Sequence, residues 1–82
     1  MINSSKTALK IGDMVKFYRM RANLSKKELA KSASIPLDIL LQIESNTVIP
    51  DLKTIHKIAN SLKLGSKDLS LMLGVNLYKF NF

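Results

Sequence analysis

Five stretches of helical period run along residues 7–73, and a different period follows them. Ile11, Val15 and Tyr18 recur at helical spacing with Met14 beside them. That pattern predicts a first helix over Thr7–Arg21 with this face inward. Leu29, Ala30 and Ala33 mark a short second helix over Lys26–Ala33. Leu40 and Ile43 give the inner face of a third, over Leu37–Ser45. Leu52, Ile55, Ile58, Ala59 and Leu62 do the same for a fourth, over Leu52–Leu62. A fifth is expected from a Ser66 cap through Leu73, with Gly74 ending it. In the tail, Asn76, Tyr78, Phe80 and Phe82 alternate with Val75, Leu77, Lys79 and Asn81. Period two with aromatics predicts a short C-terminal strand, which needs a partner edge. The alternative is a tail whose aromatics pack on the helical body. The expected class is all-α, a five-helix bundle over residues 7–73. Residues 1–6 are expected to be a loose tail and residues 74–82 an extension.

The helix ends carry their own signals. Ser25 and Glu28 have the spacing of a capping box, and Leu24 and Leu29 that of a hydrophobic staple. Ile35 and Leu40 repeat the staple around Pro36, which is suited to a helix start because it needs no amide partner there. Ser32, Ala33 and Ser34 fill the turn between the second and third helices. Two small residues and a short turn let two helices cross closely, as a helix-turn-helix requires. Asp51 is placed to cap the fourth helix. Asn23 and Asn46 suit left-handed positions after the first and third.

The chain resembles the phage-repressor/Cro (Xre-type) helix-turn-helix family from Ile11 to Leu69. The matching residues are Leu24-Ser25, Glu28-Leu29-Ala30, Ile35, Leu40 and Ile43-Glu44. Upstream, Ile11-Gly12 and Arg19 also match, and downstream Pro50 and Ile58-Ala59. The chain departs from the pattern at Lys26, where the family has Gln, and at Ser34, where it has Gly. Its groove-facing positions are also more apolar than the family's. The resemblance implies a lambda-repressor-like fold and an ion pair between Arg19 and Glu44. It also implies that Leu37, Asp38, Leu41 and Gln42 face the DNA groove, with Ser45 at the margin.

Charge adds a direction. The net charge is +7 and the sequence pI about 9.9, a balance that favours polyanionic partners, nucleic acid first. Residues 1–31 carry a net +6 and residues 52–82 a net +4. Residues 32–51 hold no Lys or Arg and carry −3, so the third helix lies in the acidic part of a basic chain. Lys26, Lys27 and Lys53, at the starts of the second and fourth helices, are candidates for phosphate contacts. Their bland reading is a solvated face. Gln42 can read adenine, Asp38 can accept from cytosine, and Leu37 and Leu41 can pack on thymine methyls.

No enzyme, metal centre or cofactor is expected. Cysteine is absent, the single His56 lies off the apolar face of its helix, and there is no Gly-rich phosphate loop. Lack of cysteine suits a cytoplasmic setting, and no apolar run is long enough to cross a membrane. The leading expectation is a sequence-specific DNA-binding transcription regulator, a repressor acting as a homodimer on double-stranded DNA. Val75, Leu77, Tyr78, Phe80 and Phe82 are the expected dimer contact. The competing expectation is a helix-turn-helix that has lost its reader and binds a protein partner. That reading uses apolar surface from Leu37, Ile39 and Leu41, extended by Val48 and Ile49.

Overall fold

The computed structural model describes residues 10–77, which form five helices. They are α1 (Ile11–Arg21), α2 (Lys26–Ala33), α3 (Leu37–Glu44), α4 (Leu52–Ser61) and α5 (Ser66–Leu77). There is no strand among the described residues. α3 packs against both α1 and α2, α4 against α2, and α5 against α1. The core is built where these faces meet, from Val15, Leu29, Leu40, Ile43, Ile55, Ile58 and Met72, all fully buried.

Local chemistry sets the helix limits. Ser25 Oγ accepts from the Glu28 amide at 3.0 Å, and Glu28 Oε1 accepts from the Ser25 amide at 2.7 Å. Two donors that a helix start would leave orphaned are thereby satisfied. Asp51 Oδ1 likewise accepts from the Thr54 amide at 2.8 Å and starts α4. Hydrogen bonds from Ser25 hold the Glu28 carboxyl below its usual pKa, and those from Thr54 do the same for Asp51. The stops are also of one kind. Asn23, Ser34, Asn46 and Lys63 follow the first four helices with φ between 56° and 61°. This left-handed geometry turns the chain out of a helix.

Several boundaries and faces differ from the sequence expectation. Lys10 is extended, with φ −107° and ψ 156°, so α1 begins at Ile11; the expected start at Thr7 and the expected tail over residues 1–6 lie outside the described residues. Ser45 and Leu62 are the C-caps of α3 and α4, one position beyond their last helical residues. Ser66 is the first residue of α5 rather than a cap before it. α5 also continues through Gly74 to Leu77. Each added helical residue gains a hydrogen bond, while an internal glycine costs only about 1 kcal/mol relative to alanine. Val75, Asn76 and Leu77 are therefore helical, not part of a strand; Tyr78–Phe82 lie outside the described residues. Leu52, expected on the core face of α4, is 54% exposed. It is the first residue of the helix, and the buried face of α4 begins at Ile55. Ile39 and Val48, expected to be exposed apolar surface, are half-buried and pack against the core.

The contact between α1 and α3 is unusually close at Gly12. A Cβ there would collide with the Ile43 carbonyl oxygen and the Asn46 side chain. Asn46 uses that proximity: its Oδ1 accepts from the Gly12 amide at 3.0 Å, and its Nδ2 donates to Asp13 Oδ1 at 3.0 Å. The end of α3 is thus tied to the first turn of α1. Gly12→Ala should gain about 1 kcal/mol of helix propensity and lose about 3 kcal/mol to overpacking, because the obstacle is backbone. A net loss of roughly 2 kcal/mol in urea denaturation is the expected outcome. An unchanged midpoint would mean that the two helices separate at little cost.

Candidate nucleic-acid interface

α3 presents two different surfaces. Leu40, Ile43 and Glu44 point inward and are buried. Leu37, Asp38, Leu41, Gln42 and Ser45 are all exposed, Leu37 at 37% and Leu41 at 42%. On a helix, residues four apart lie above one another. The exposed face therefore carries an apolar stripe, Leu37–Leu41, beside a polar stripe, Asp38–Gln42. Ser45 lies at the edge of this face, and its hydroxyl is already engaged. Its hydroxyl donates to the Gln42 carbonyl at 3.1 Å and shares a 2.6 Å hydrogen bond with Thr47 Oγ1.

The inward side of α3 is anchored by an ion pair. Arg19 Nε donates to Glu44 Oε2 at 2.7 Å, and its NH2 group to Glu44 Oε1 at 3.1 Å. Both side chains are buried. The NH1 group of Arg19 donates to the Leu24 carbonyl at 2.8 Å. One guanidinium thus joins α1, α3 and the connector that leads into α2. The paired fork is a strong and directional form of charged hydrogen bond.

The flanking cations lie at helix starts. Lys26 and Lys27 occupy the first two positions of α2, and Lys53 the second position of α4; all three are exposed. The helix dipole disfavours positive charge there. Their placement therefore does not serve helix stability; the same ends also carry the Glu28 and Asp51 carboxylates, and the Glu28 and Thr54 amides are taken by the caps, so the lysine side chains rather than the helix ends are what a phosphate would meet. His56 is exposed, and no group of His, Asp and Glu among the described residues could hold a metal ion. No helix among them is long and apolar enough to cross a membrane.

Sequence reasoning missed two positioning residues. Gly12 was legible only as part of a matching dipeptide, and Asn46 only as a helix stop. Their mutual contact spans 34 positions and leaves no periodic trace. The Tyr18 hydroxyl, which donates to Asp68 Oδ1 at 3.0 Å and ties α5 to α1, was also unreadable. Burial, followed by the Asp68 contact, raises the pKa of that phenol.

Two helices joined across a three-residue turn, the second buried on one side and free on the other, define a helix-turn-helix domain. The family model described as Helix-turn-helix matches residues 15–69, and the chain belongs to this Xre and lambda-repressor-like family. Its domain is that of a DNA-binding regulator and not of an enzyme family. A comparison with curated proteins finds no match.

The ion pair gives a direct test. Arg19→Met leaves Glu44 buried and unpaired, and should cost about 3–5 kcal/mol in urea denaturation. Adding Glu44→Leu removes the orphaned charge and should recover a large part of that loss. Equal destabilisation in the single and double variants would show that the Leu24 contact, not the ion pair, dominates.

Proposed function

We propose that this protein is a sequence-specific transcription regulator, a repressor that acts in the cytoplasm as a homodimer on double-stranded DNA. The observation that carries this reading is the free outer face of α3. Leu37, Asp38, Leu41 and Gln42 are exposed on a helix whose other side is anchored in the core. In a helix-turn-helix this second helix enters the major groove while neighbouring elements grip phosphates. Lys26, Lys27 and Lys53 supply that grip. Because the outer face of α3 carries no cation, most of the affinity comes from its surroundings.

The proposed dimer contact is the C-terminal end, Val75 and Leu77 with Tyr78, Phe80 and Phe82. Exposed Leu71, further back on α5, and exposed Phe17 and Met20 on α1 add apolar surface to these two packed helices. A two-fold contact of this kind suits a palindromic operator. A second reading has one observation in its favour. Exposed Leu37, Leu41 and Ile49, the last at 68%, leave apolar groups in a segment without cations. A protein partner would be docked by such a surface.

Two measurements test the proposal. Lys26→Gln and Lys27→Gln should each weaken binding to all DNA sequences alike. Each should also flatten the log–log salt dependence by about 0.9. Under the protein-partner reading, those changes leave partner binding intact while Leu37→Ser or Leu41→Ser abolishes it. Folded wild-type protein without DNA affinity at low salt would end the DNA-binding reading. For the dimer, a chain stopped after Gly74 should sediment as a monomer; an unchanged dimer would place the contact elsewhere.

A further inference from the structure

We propose that the DNA read by this protein is recognised chiefly through the C5-methyl groups of its pyrimidines, so that its site is thymine-rich and lacks a guanine read by α3. This inference rests on the DNA-binding reading above and concerns what the same face recognises.

α3 lacks the cations that most often read guanine. Guanine is most often read by Arg or Lys donating to its O6 and N7 acceptors. Residues 32–51, which contain α3 and both its flanks, hold neither. The charged side chain on the outer face is Asp38, an acceptor, which is mismatched with an edge made of acceptors. The Ser45 hydroxyl is engaged in hydrogen bonds to Gln42 and Thr47. Leu37 and Leu41, with Gln42 and Asp38, remain to meet the bases.

Apolar side chains have one specific partner on the major-groove edge, the methyl group of thymine. Leu37 and Leu41 lie four residues apart, about 6 Å along the helix. That is close to two base steps of about 3.4 Å each. The apolar stripe can therefore meet methyls at two nearby positions. Gln42, on the adjoining stripe, matches adenine, the partner of thymine, so both stripes favour A·T pairs. Asp38 accepts from the cytosine amino group. A 5-methylcytosine would offer that donor together with a methyl at the same ring position as thymine's. Discrimination by methyl contact thus extends to methylated cytosine and ranks it above the unmethylated base, which keeps the amino donor but lacks the methyl.

The test uses the full chain and duplex DNA of defined chemistry. A preferred site is first selected from random duplexes, and each thymine in it is then replaced singly by uracil. Loss of a contacted methyl should weaken binding about fourfold. Leu37→Ala and Leu41→Ala, at exposed positions and checked for folding by circular dichroism, should each abolish the penalty at one thymine. Replacing that T·A pair by 5-methylcytosine·guanine should retain more affinity than replacing it by cytosine·guanine. Tight binding that is indifferent to uracil would overturn the methyl proposal and leave DNA binding intact. So would a uracil penalty that persists in both leucine variants. Absence of any DNA affinity in the wild type would remove both readings.

Discussion

The buried pair of Arg19 and Glu44 is the contact on which the placement of the third helix depends. α3 has eight residues, too few to persist alone in water. Its position comes from outside itself. Leu40 and Ile43 supply apolar contact, which is strong but without direction. The guanidinium fork adds direction, because two parallel hydrogen bonds fix both the angle and the register of α3 on α1. Attraction within a buried pair is largely offset by desolvation, so its effect is better described as placement than as stability. The third bond, to the Leu24 carbonyl, extends that placement to the entrance of α2.

From this anchoring follows a division of labour along a single short helix. One side satisfies the core and the ion pair, and the other is free of structural duties. The lysines complete the arrangement from other elements, at helix starts where their charge does nothing for the fold. Under the proposed DNA-binding function, affinity and selectivity would be assigned to different parts of the chain. Long-range attraction would belong to the exposed lysines of α2 and α4, and short-range discrimination to the outer face of α3. An apolar outer face whose one charged group is Asp38 would be tolerable in a basic protein for that reason.

Much of this was legible in the sequence, and the limits have physical causes. Ser25, Glu28 and Asp51 announced their helices because capping depends on neighbours three residues apart. Asn23 and Asn46 announced stops because few side chains tolerate a left-handed backbone. Lys63 takes the same geometry without any such signal. Periodicity assigned the inward face of α4 and its cap correctly at Ile55, Ile58, Ala59 and Leu62 but could not show that Leu52 stays exposed. It also could not separate half-buried Ile39 and Val48 from exposed Ile49, since that depends on what lies opposite. Gly74 reads as a stop in isolation, yet the helix continues because a single glycine costs less than the turn that follows is worth. On the outer face, the residues and their exposure were readable, while the hydrogen bond between Ser45 and Thr47 was not.

The closeness of α1 and α3 at Gly12 reaches beyond stability. Where those helices meet, one wall is bare backbone, and the spacing is defined by a carbonyl oxygen and an asparagine rather than by interlocking side chains. Such a joint has little room for gradual change, since any larger residue at Gly12 meets an atom that cannot rotate away. The outer positions of α3 are under no comparable restraint. The domain is therefore a rigid mount with an interchangeable face. Substitutions at the exposed residues 37, 38, 41 and 42 would leave that frame intact, so the outer surface of the helix can change while its seat does not.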